Sequence, residues 1–204
     1  MFTENPETDD ELLDRIRSGD EPAFVSLYRR RQGAIYRFAL HLCGSAVAAE
    51  DITQEVFLAL IREGCGYDPS RGTLAGYLFG IARKLVLRFL ARGRSDVALE
   101  TDLDDFAVPE LAVFDDPLVD LTRRESVDAL WRAVLALPRR YREVVILCDL
   151  EELDYSDAAG ALGCPVGTVR SRLHRARALL LEKLQFGRNA QAAVRTFKPV
   201  RCAV

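Results

Sequence analysis

Four arginines and one histidine fall within residues 166–180, a segment that contains no aspartate or glutamate. The chain as a whole is slightly acidic, with 28 Lys and Arg against 31 Asp and Glu. A basic segment in an acidic chain predicts a polyanionic partner, because arginine pairs with guanine edges and with phosphate groups. The partner predicted for this segment is duplex DNA. Its candidate contact residues are Thr168, Arg170, Ser171, His174 and Arg175.

The basic segment follows a turn that is typical of a helix-turn-helix. Ser156 can cap a short first helix, Gly163 tolerates the positive φ of a tight turn, and Pro165 favours the first turn of the next helix. Ala159 is small enough to let the two helices approach closely. On a helical wheel, the second helix has one apolar side, and the arginines lie off it. The apolar side consists of Val166, Val169, Leu173, Ala176 and Leu180. A solvated surface helix is the alternative, and the turn favours DNA binding over it.

A second basic helix is predicted at residues 73–91. One stripe of this helix carries Tyr77, Gly80, Lys84 and Arg88, and the stripe beside it carries Leu74, Leu78, Ile81 and Leu85. Aromatic stacking combined with cations that track the backbone holds a single nucleic-acid strand. The alternative for Tyr77 is an aromatic side chain that packs between helices.

Charge divides the chain into blocks. Residues 96–122 contain nine acidic residues and no Lys or Arg, together with Pro109 and Pro117 and no sustained periodicity. Such a segment is typical of an extended linker. We therefore expect one domain at residues 1–95, an acidic flexible linker at 96–122, a second domain at 123–185 and a basic tail with a disordered end at 186–204.

Both domains are predicted to be helical, so the fold class is all-α. Asp20 and Ser45 are predicted helix caps, Gly44 is a predicted helix end, and no segment shows the alternation of a strand. No apolar run reaches the roughly 18–20 residues that cross a bilayer. The acidic N-terminus lacks the pattern of a secretion signal. We therefore expect a cytoplasmic protein without membrane insertion.

Metal and catalytic chemistry have little support in the sequence. The five cysteines are scattered and form no CxxC pair, which indicates free thiols in a reducing compartment. His41 and Cys43 lack further ligands for zinc. The acidic cluster at residues 102–105 lies in the predicted linker with no nucleophile arrangement beside it. We expect no catalytic residue, no metal and no cofactor, so the chain is not expected to be an enzyme.

Taken together and in order, three segments resemble the bacterial extracytoplasmic-function (ECF) sigma factors, the small promoter-recognition subunits of RNA polymerase. AEDITQEVFLALI at residues 49–61 resembles their region 2.2, and YLFGIARKLVLRFLAR at 77–92 resembles regions 2.3 and 2.4. GCPVGTVRSRLHRAR at 163–177, preceded by Leu137-Pro138 and Tyr155-Ser156, resembles region 4. The resemblance implies an alternative sigma factor that binds core RNA polymerase and directs transcription from promoters with −10 and −35 elements.

The resemblance also implies which residues do what. Asp51, Gln54 and Glu55 match the motif that binds the β′ clamp helices of core polymerase. The β subunit of core polymerase is a further expected contact. The alternative for these three residues is the polar outer side of an ordinary amphipathic helix. A loop that receives a flipped base and the helix after it would read the −10 element. The candidates there are Asp68, Ser70, Arg71, Thr73, Tyr77, Lys84 and Arg88. The basic segment would read the −35 element as duplex DNA.

Tyr77, Gly80 and Lys84 depart from the common family pattern, which bears on the −10 sequence preference. Two domains on a linker, with no sensing pocket of their own, predict control by an anti-sigma factor that wedges between the domains or clasps them. The resemblance further implies that the linker threads polymerase channels, although self-repulsion of a solvated tether also explains its acidity. A stand-alone helix-turn-helix regulator is the alternative function; it leaves the segment DITQEVF unexplained.

Overall fold

The structure is a computed structural model that describes residues 7–63, 66–95 and 121–196. These residues form α-helices, short helical turns and loops, and contain no β-strand. The helices are α1 (Asp9–Arg17), α2 (Glu21–Cys43), α3 (Ala46–Glu63), α4 (Leu74–Ser95), α5 (Leu121–Leu135), α6 (Arg139–Val145), α7 (Tyr155–Leu162) and α8 (Val166–Thr196). A short turn at Pro69–Arg71 precedes α4, and a π-helical turn at Ile146–Leu150 extends α6. Within the described ranges, no helix is both long and apolar enough to cross a membrane.

The predicted helix ends of the N-terminal domain are confirmed. The Asp20 side chain accepts a hydrogen bond from the Ala23 N–H at 3.2 Å and so caps α2. Gly44 ends this helix with a φ of 69°, a conformation that glycine adopts without steric cost. Ser45 caps α3 by accepting from the Ala48 N–H at 3.3 Å. These side chains satisfy backbone donors that a helix leaves unpaired at its start.

Other boundaries differ from the sequence-based expectation. Ser156 was expected to cap the first helix of the motif, but α7 begins at Tyr155 and the N-cap is Asp154, whose side chain makes no capping bond. Of the predicted linker at 96–122, residues 96–120 lie outside the described residues, and α5 begins at Leu121. The expectation of a disordered end is wrong for residues 186–196, which continue α8 to Thr196, since Ala, Gln and Arg in this stretch favour helix. Residues 197–204 lie outside the described part.

The buried side chains form one continuous apolar core that spans both halves of the chain. In the N-terminal half, α2 packs against α1, α3 and α4, with Phe38 and Phe79 in an edge-to-face contact at 5.3 Å between ring centroids. In the C-terminal half, α8 packs against α5, α6 and α7. The two halves meet where α7 packs on α4. This contact places the start of the helix-turn-helix against the helix that carries the Tyr77 stripe.

Candidate nucleic-acid and polymerase-binding faces

The turn between α7 and α8 has the geometry of a helix-turn-helix. Gly163 adopts a left-handed conformation with a φ of 63° and a ψ of 38°. The Cys164 N–H then donates to the Ala159 carbonyl at 3.0 Å, which closes the end of α7. The side of α8 that faces the core is the one predicted from the helical wheel, with Val169, Leu173, Ala176 and Leu180 buried and Val166 half-buried. The turn and this packing fix which residues of α8 point outward.

The outward face of α8 carries the predicted DNA-contact residues. Arg170, Ser171, His174 and Arg175 are exposed, and Thr168 is half-buried. The Ser171 hydroxyl donates to the Thr168 carbonyl at 3.0 Å, and the Arg170 guanidinium lies 5.9 Å from the centroid of the Tyr155 ring. Side chains from two successive turns of one helix thus present donors to the same side, as insertion into a major groove requires.

Arg172 and Arg177 of α8 are not among the predicted DNA-contact residues. Arg177 forms an ion pair with Asp149 in the π-helical turn, with its Nε 3.2 Å from Oδ2, and this bond raises the pKa of the guanidinium. Arg172 is half-buried. The Arg177–Asp149 pair joins α8 to the segment after α6.

On α4, the predicted stripe of an aromatic and two cations is only partly open. Lys84 and Arg88 are exposed, whereas Tyr77 is half-buried with its ring 5.6 Å from that of Tyr67. Gly80 lies against α7: a Cβ added to it would be 3.6 Å from the Ala161 Cα. The apolar stripe is confirmed for Leu74 and Leu78, which are buried, while Ile81 and Leu85 are half-buried, and Phe79, Ala82 and Val86 complete the buried side of the helix.

The loop before α4 is held by its own hydrogen bonds. The backbone N–H and hydroxyl of Ser70 donate to Asp68 Oδ1 at 3.0 and 2.7 Å, and these bonds hold the pKa of the Asp68 carboxyl below its ordinary value. The Tyr67 hydroxyl donates to Asp10 at 2.7 Å and contacts the Gly72 carbonyl at 3.2 Å; burial raises the pKa of this hydroxyl. Arg71 is exposed. The loop is therefore a preformed surface with one exposed cation.

Thr73, the last of the loop candidates, is engaged by α7. Its backbone N–H donates to Asp157 Oδ1 at 3.0 Å, and its hydroxyl donates to Asp157 Oδ2 at 2.6 Å. The same hydroxyl oxygen accepts from the Gly76 N–H at 3.2 Å and so caps α4. A residue expected to face DNA is thus bonded to the other half of the chain.

The polymerase-binding candidates share one exposed face of α3. Asp51, Gln54 and Glu55 are exposed, while Ile52, Val56 and Phe57 on the opposite face are buried. Leu58 and Ile61 continue the exposed face at 41% and 54% exposure. Ile61 follows Gln54 by seven residues, two helical turns, and this spacing is the sequence signal that places it on the same face. An exposed face that combines acidic and aliphatic side chains is suited to binding another protein.

Comparisons with known proteins agree with this geometry. Residues 27–95, which include α3, the loop and α4, match the family model Sigma-70 region 2, and residues 128–180, which include α7 and the start of α8, match Sigma-70 region 4. The RNA polymerase sigma-H factor of Pseudomonas aeruginosa is 34% identical over 195 residues, which cover 88% of this chain and 95% of that protein. The ECF RNA polymerase sigma-E factor of Escherichia coli K12 is 32% identical over 185 residues, with 87% and 95% covered. The chain belongs to the ECF RNA polymerase sigma factor family.

Further relatives are consistent with the assignment. The ECF sigma factor SigE of Mycolicibacterium smegmatis is 36% identical over 173 residues, which cover 82% of this chain and 65% of that protein. Among solved structures, the sigma factor RpoE from Bartonella quintana, in complex with the anti-sigma factor NepR, superposes with a TM-score of 0.62 at 26% identity and covers 79% of this chain and 96% of that chain. CnrH, in complex with the cytosolic domain of CnrY, shares the fold with a TM-score of 0.64 at 23% identity and covers 88% and 98%.

As a sigma factor, the chain binds core RNA polymerase and directs initiation at promoters. Its matched regions, 2 and 4, contain the faces described above: α3, the loop and α4 lie in region 2, and the helix-turn-helix lies in region 4.

Within residues 7–63, 66–95 and 121–196 no group of three His, Cys, Asp or Glu could hold a metal ion. Burial raises the pKa of the Cys148 thiol to about 11, so this thiol stays protonated at neutral pH.

Sequence reasoning missed the residues that join regions 2 and 4 of this sigma factor. Asp157 bonds Thr73, and Glu151 receives two hydrogen bonds from Arg37. Glu143, only 2% exposed, lies 3.2 Å from the Arg83 Nε. The pairing depends on how two separately folded regions dock, and neither composition nor periodicity contains that information.

Proposed function

We propose that α8 reads the −35 element as duplex DNA, with Thr168, Arg170, Ser171, His174 and Arg175 as its contacts. The observation that carries this proposal is the outward face of α8, where exposed arginines, a hydroxyl and an imidazole follow the turn with no acidic residue among them. Guanidinium groups bond guanine O6 and N7 in pairs, while hydroxyl groups bond phosphates or bases. Arg177 is assigned a structural role instead, because Asp149 holds it.

We propose that the loop and α4 read the −10 element as a separated strand. Arg71 is an exposed cation on the loop, and Lys84 and Arg88 continue that charge along α4. Tyr77, whose ring lies beside Tyr67, supplies aromatic surface between the loop and the cations. Asp68 and Ser70 hold the loop in shape and present their remaining hydrogen-bonding capacity to a base. Thr73 joins this surface once Asp157 no longer occupies its donors.

The exposed face of α3 is proposed to bind the β′ clamp helices of core polymerase. Asp51, Gln54 and Glu55 would provide the polar contacts, and Leu58 and Ile61 would add apolar area at the same interface. Buried aliphatic anchors surrounded by a polar rim are the usual composition of a specific protein interface. The β subunit is proposed as a second contact of this sigma factor.

The proposed domain limits are residues 1–95 for region 2, 96–122 for the acidic linker, 123–185 for region 4, and 186–204 for a basic C-terminal segment that begins within α8. We propose that the chain acts without a cofactor and has no catalytic activity of its own, and that it works in the cytoplasm, where core polymerase is found. We also propose regulation by an anti-sigma factor, since the related RpoE from Bartonella quintana was solved in complex with one.

Runoff transcription with purified core polymerase tests the proposed roles. The wild-type chain should start transcripts at discrete sites on promoter fragments. Replacing both Arg170 and Arg175 by alanine should abolish these transcripts while core binding persists. Arg29→Ala removes an exposed arginine on α2, outside all three faces, and should leave transcription unchanged. Specific DNA binding by the free chain, combined with no new transcripts in the presence of core, would favour a stand-alone regulator.

A further inference from the structure

We propose that the isolated chain is autoinhibited by a latch in which Asp157 of α7 occupies the donors of Thr73 and seats region 4 against the Thr73 end of α4, at the edge of the proposed −10-reading surface of region 2. The proposal rests on the proposed function of the loop and α4. It concerns regulation by the chain itself, before any other protein binds. The latch is defined here as the contact of α7 with the Thr73 end of α4.

The latch is a close fit between two specific surfaces. Gly72, Gly76 and Gly80 recur every fourth residue and face α7. A Cβ added at Gly76 would lie 3.0 Å from the Asp157 Cβ and 3.4 Å from its Cα, and one added at Gly72 would lie 2.8 Å from Asp157 Oδ1. Gly76 thus leaves the space that α7 fills. Asp157 itself is 9% exposed and uses both carboxylate oxygens on Thr73.

Charge complementarity surrounds this fit. The bidentate Arg37–Glu151 pair and the contact of Arg83 with the buried Glu143 each join a cation of region 2 to an acid of region 4. Glu143, 2% exposed, lies between Arg83 of region 2 and Arg139 of its own helix, whose Nε is 3.8 Å from Glu143 Oε1, so its charge faces a cation of each region. Acids of region 4 therefore pair with two cations of region 2, Arg37 and Arg83, and with the donors of Thr73.

The latch is incompatible with reading both promoter elements at once. Elements centred at −10 and −35 are about 25 base pairs apart, or about 85 Å along duplex DNA at 3.4 Å per base pair. In the closed chain, Thr73 and Asp157 are in direct contact, and Asp157 lies in the helix that immediately precedes α8. The outward face of α8 is exposed in this arrangement, but α8 cannot reach the −35 position while the loop holds the −10 position. Initiation therefore requires the latch to open.

The latch can be tested on the full isolated chain, without polymerase or DNA. Trp131, the single tryptophan, stacks on His41 of region 2 with 4.1 Å between ring centroids, so its fluorescence and its quenching by acrylamide report separation of the regions. Asp157→Ala should raise the ratio of open to closed chain by about tenfold, because two hydrogen bonds to a charged group are lost. Gly76→Leu should open the chain as well, by placing a side chain where α7 sits.

Two matched glycine substitutions serve as controls. Gly80→Ala places its Cβ at ordinary contact distance from Ala161, and Gly160→Ala, on α7, meets nothing within 4 Å. Both should leave Trp131 as shielded as in the wild-type chain. Small-angle scattering should show a larger radius of gyration for Asp157→Ala and Gly76→Leu only. A wild-type chain that already scatters as two separated bodies, or a Gly76→Leu chain as compact as wild type, would overturn the latch.

A second measurement connects the latch to transcription. With core polymerase at a fixed low concentration and the sigma factor titrated against it, Asp157→Ala should reach half-maximal transcription at a several-fold lower concentration than wild type. Opening without this gain would show that the contact is not inhibitory. Because opening is measured without core or promoter, failure of the latch and failure of the proposed promoter-reading roles are distinguished.

Discussion

The guanidinium of Arg37 and the carboxylate of Glu151 form a bidentate ion pair between α2 and the end of the π-helical turn, at 3.0 and 2.9 Å. The two side chains are unequal in environment: Arg37 is 53% exposed and Glu151 is 8% exposed. Because ion pairs open to water contribute little net free energy, the Arg37–Glu151 pair contributes more to how the two regions are oriented than to how tightly they hold together.

Reversing the charge of one member of this pair should change the ratio of open to closed chain modestly, and reversing both charges should restore it. Arg37→Glu places two carboxylates together and should raise the ratio of open to closed chain by about fivefold, which corresponds to about 1 kcal/mol. The double reversal Arg37→Glu with Glu151→Arg should recover most of the closed population in Trp131 quenching. If both single and double variants quench alike, the pair does not couple the two regions.

A second prediction concerns pH. The His41 ring is stacked on Trp131 of α5, its Nδ1 is buried without a hydrogen-bond partner, and the cations Arg37 of its own helix and Arg142 of α6 face it. Burial first, and then these two cations, lower the pKa of His41 from 6.5 to about 4. The closed chain thus holds His41 neutral across the whole range from neutral pH to about pH 4.

The sign of the effect follows from this depressed pKa. An open chain binds a proton at His41 near pH 6.5, whereas the closed chain binds it only near pH 4, so the stability of the closed form is complete above pH 6.5 and falls as the pH is lowered towards 4. Nuclear magnetic resonance titration of the imidazole signals checks this directly. The sequence has one other histidine, His174 on α8, so the two sets of imidazole signals are assigned by substituting His174. A midpoint near 6.5 for His41 in the wild-type chain would contradict the buried contact.

A third prediction compares two glycines of the helix-turn-helix. Gly163 has a φ of 63°, so Gly163→Ala should destabilise the protein by about 1 kcal/mol. Gly167 lies inside α8 with no atom within 4 Å of an added Cβ, so Gly167→Ala should be neutral or stabilising by up to about 1 kcal/mol. For a chain of this length, the midpoint temperature of thermal unfolding should fall by roughly 2–4 °C for Gly163→Ala. For Gly167→Ala it should stay the same or rise by up to about that amount. Equal shifts in the same direction would show that the turn does not depend on a left-handed residue.

The local features of this fold were readable from the sequence because their causes are local. Asp20, Gly44 and Gly163 act on backbone groups within four residues of themselves, so residue type and position suffice to place them. The outward face of α8 follows from the 3.6-residue period once Val169 and Leu173 are assigned to the core. Ser156 shows the limit of such reasoning, since more than one polar residue stood near the start of α7.

The latch was not readable because its causes are not local. Asp157 and Thr73 are 84 residues apart, and the sequence offers no reason to pair this acid with that hydroxyl. Gly80 was recognised as a departure from the family pattern, but its neighbour Ala161 follows only from how α7 docks on α4. The same holds for α3, where sequence placed the polar contacts and structure added the exposed Leu58 and Ile61.

The last prediction concerns that exposed face of α3. Asp51→Lys combined with Glu55→Lys should reduce affinity for core polymerase by tenfold or more, because a partner surface complementary to these acids would then face like charges. Ile61→Ala should also weaken binding, by a few-fold, since it removes apolar area that is 54% exposed in the free chain. Neither change touches the core, so thermal unfolding of the free chain should move by less than about 2 °C. Glu21→Lys, a charge reversal at an exposed position of α2, is the matched control and should bind core as wild type does. Binding is best measured by competition with a labelled wild-type chain for core polymerase, where undiminished competition by the double-lysine variant would place the polymerase contact elsewhere on region 2.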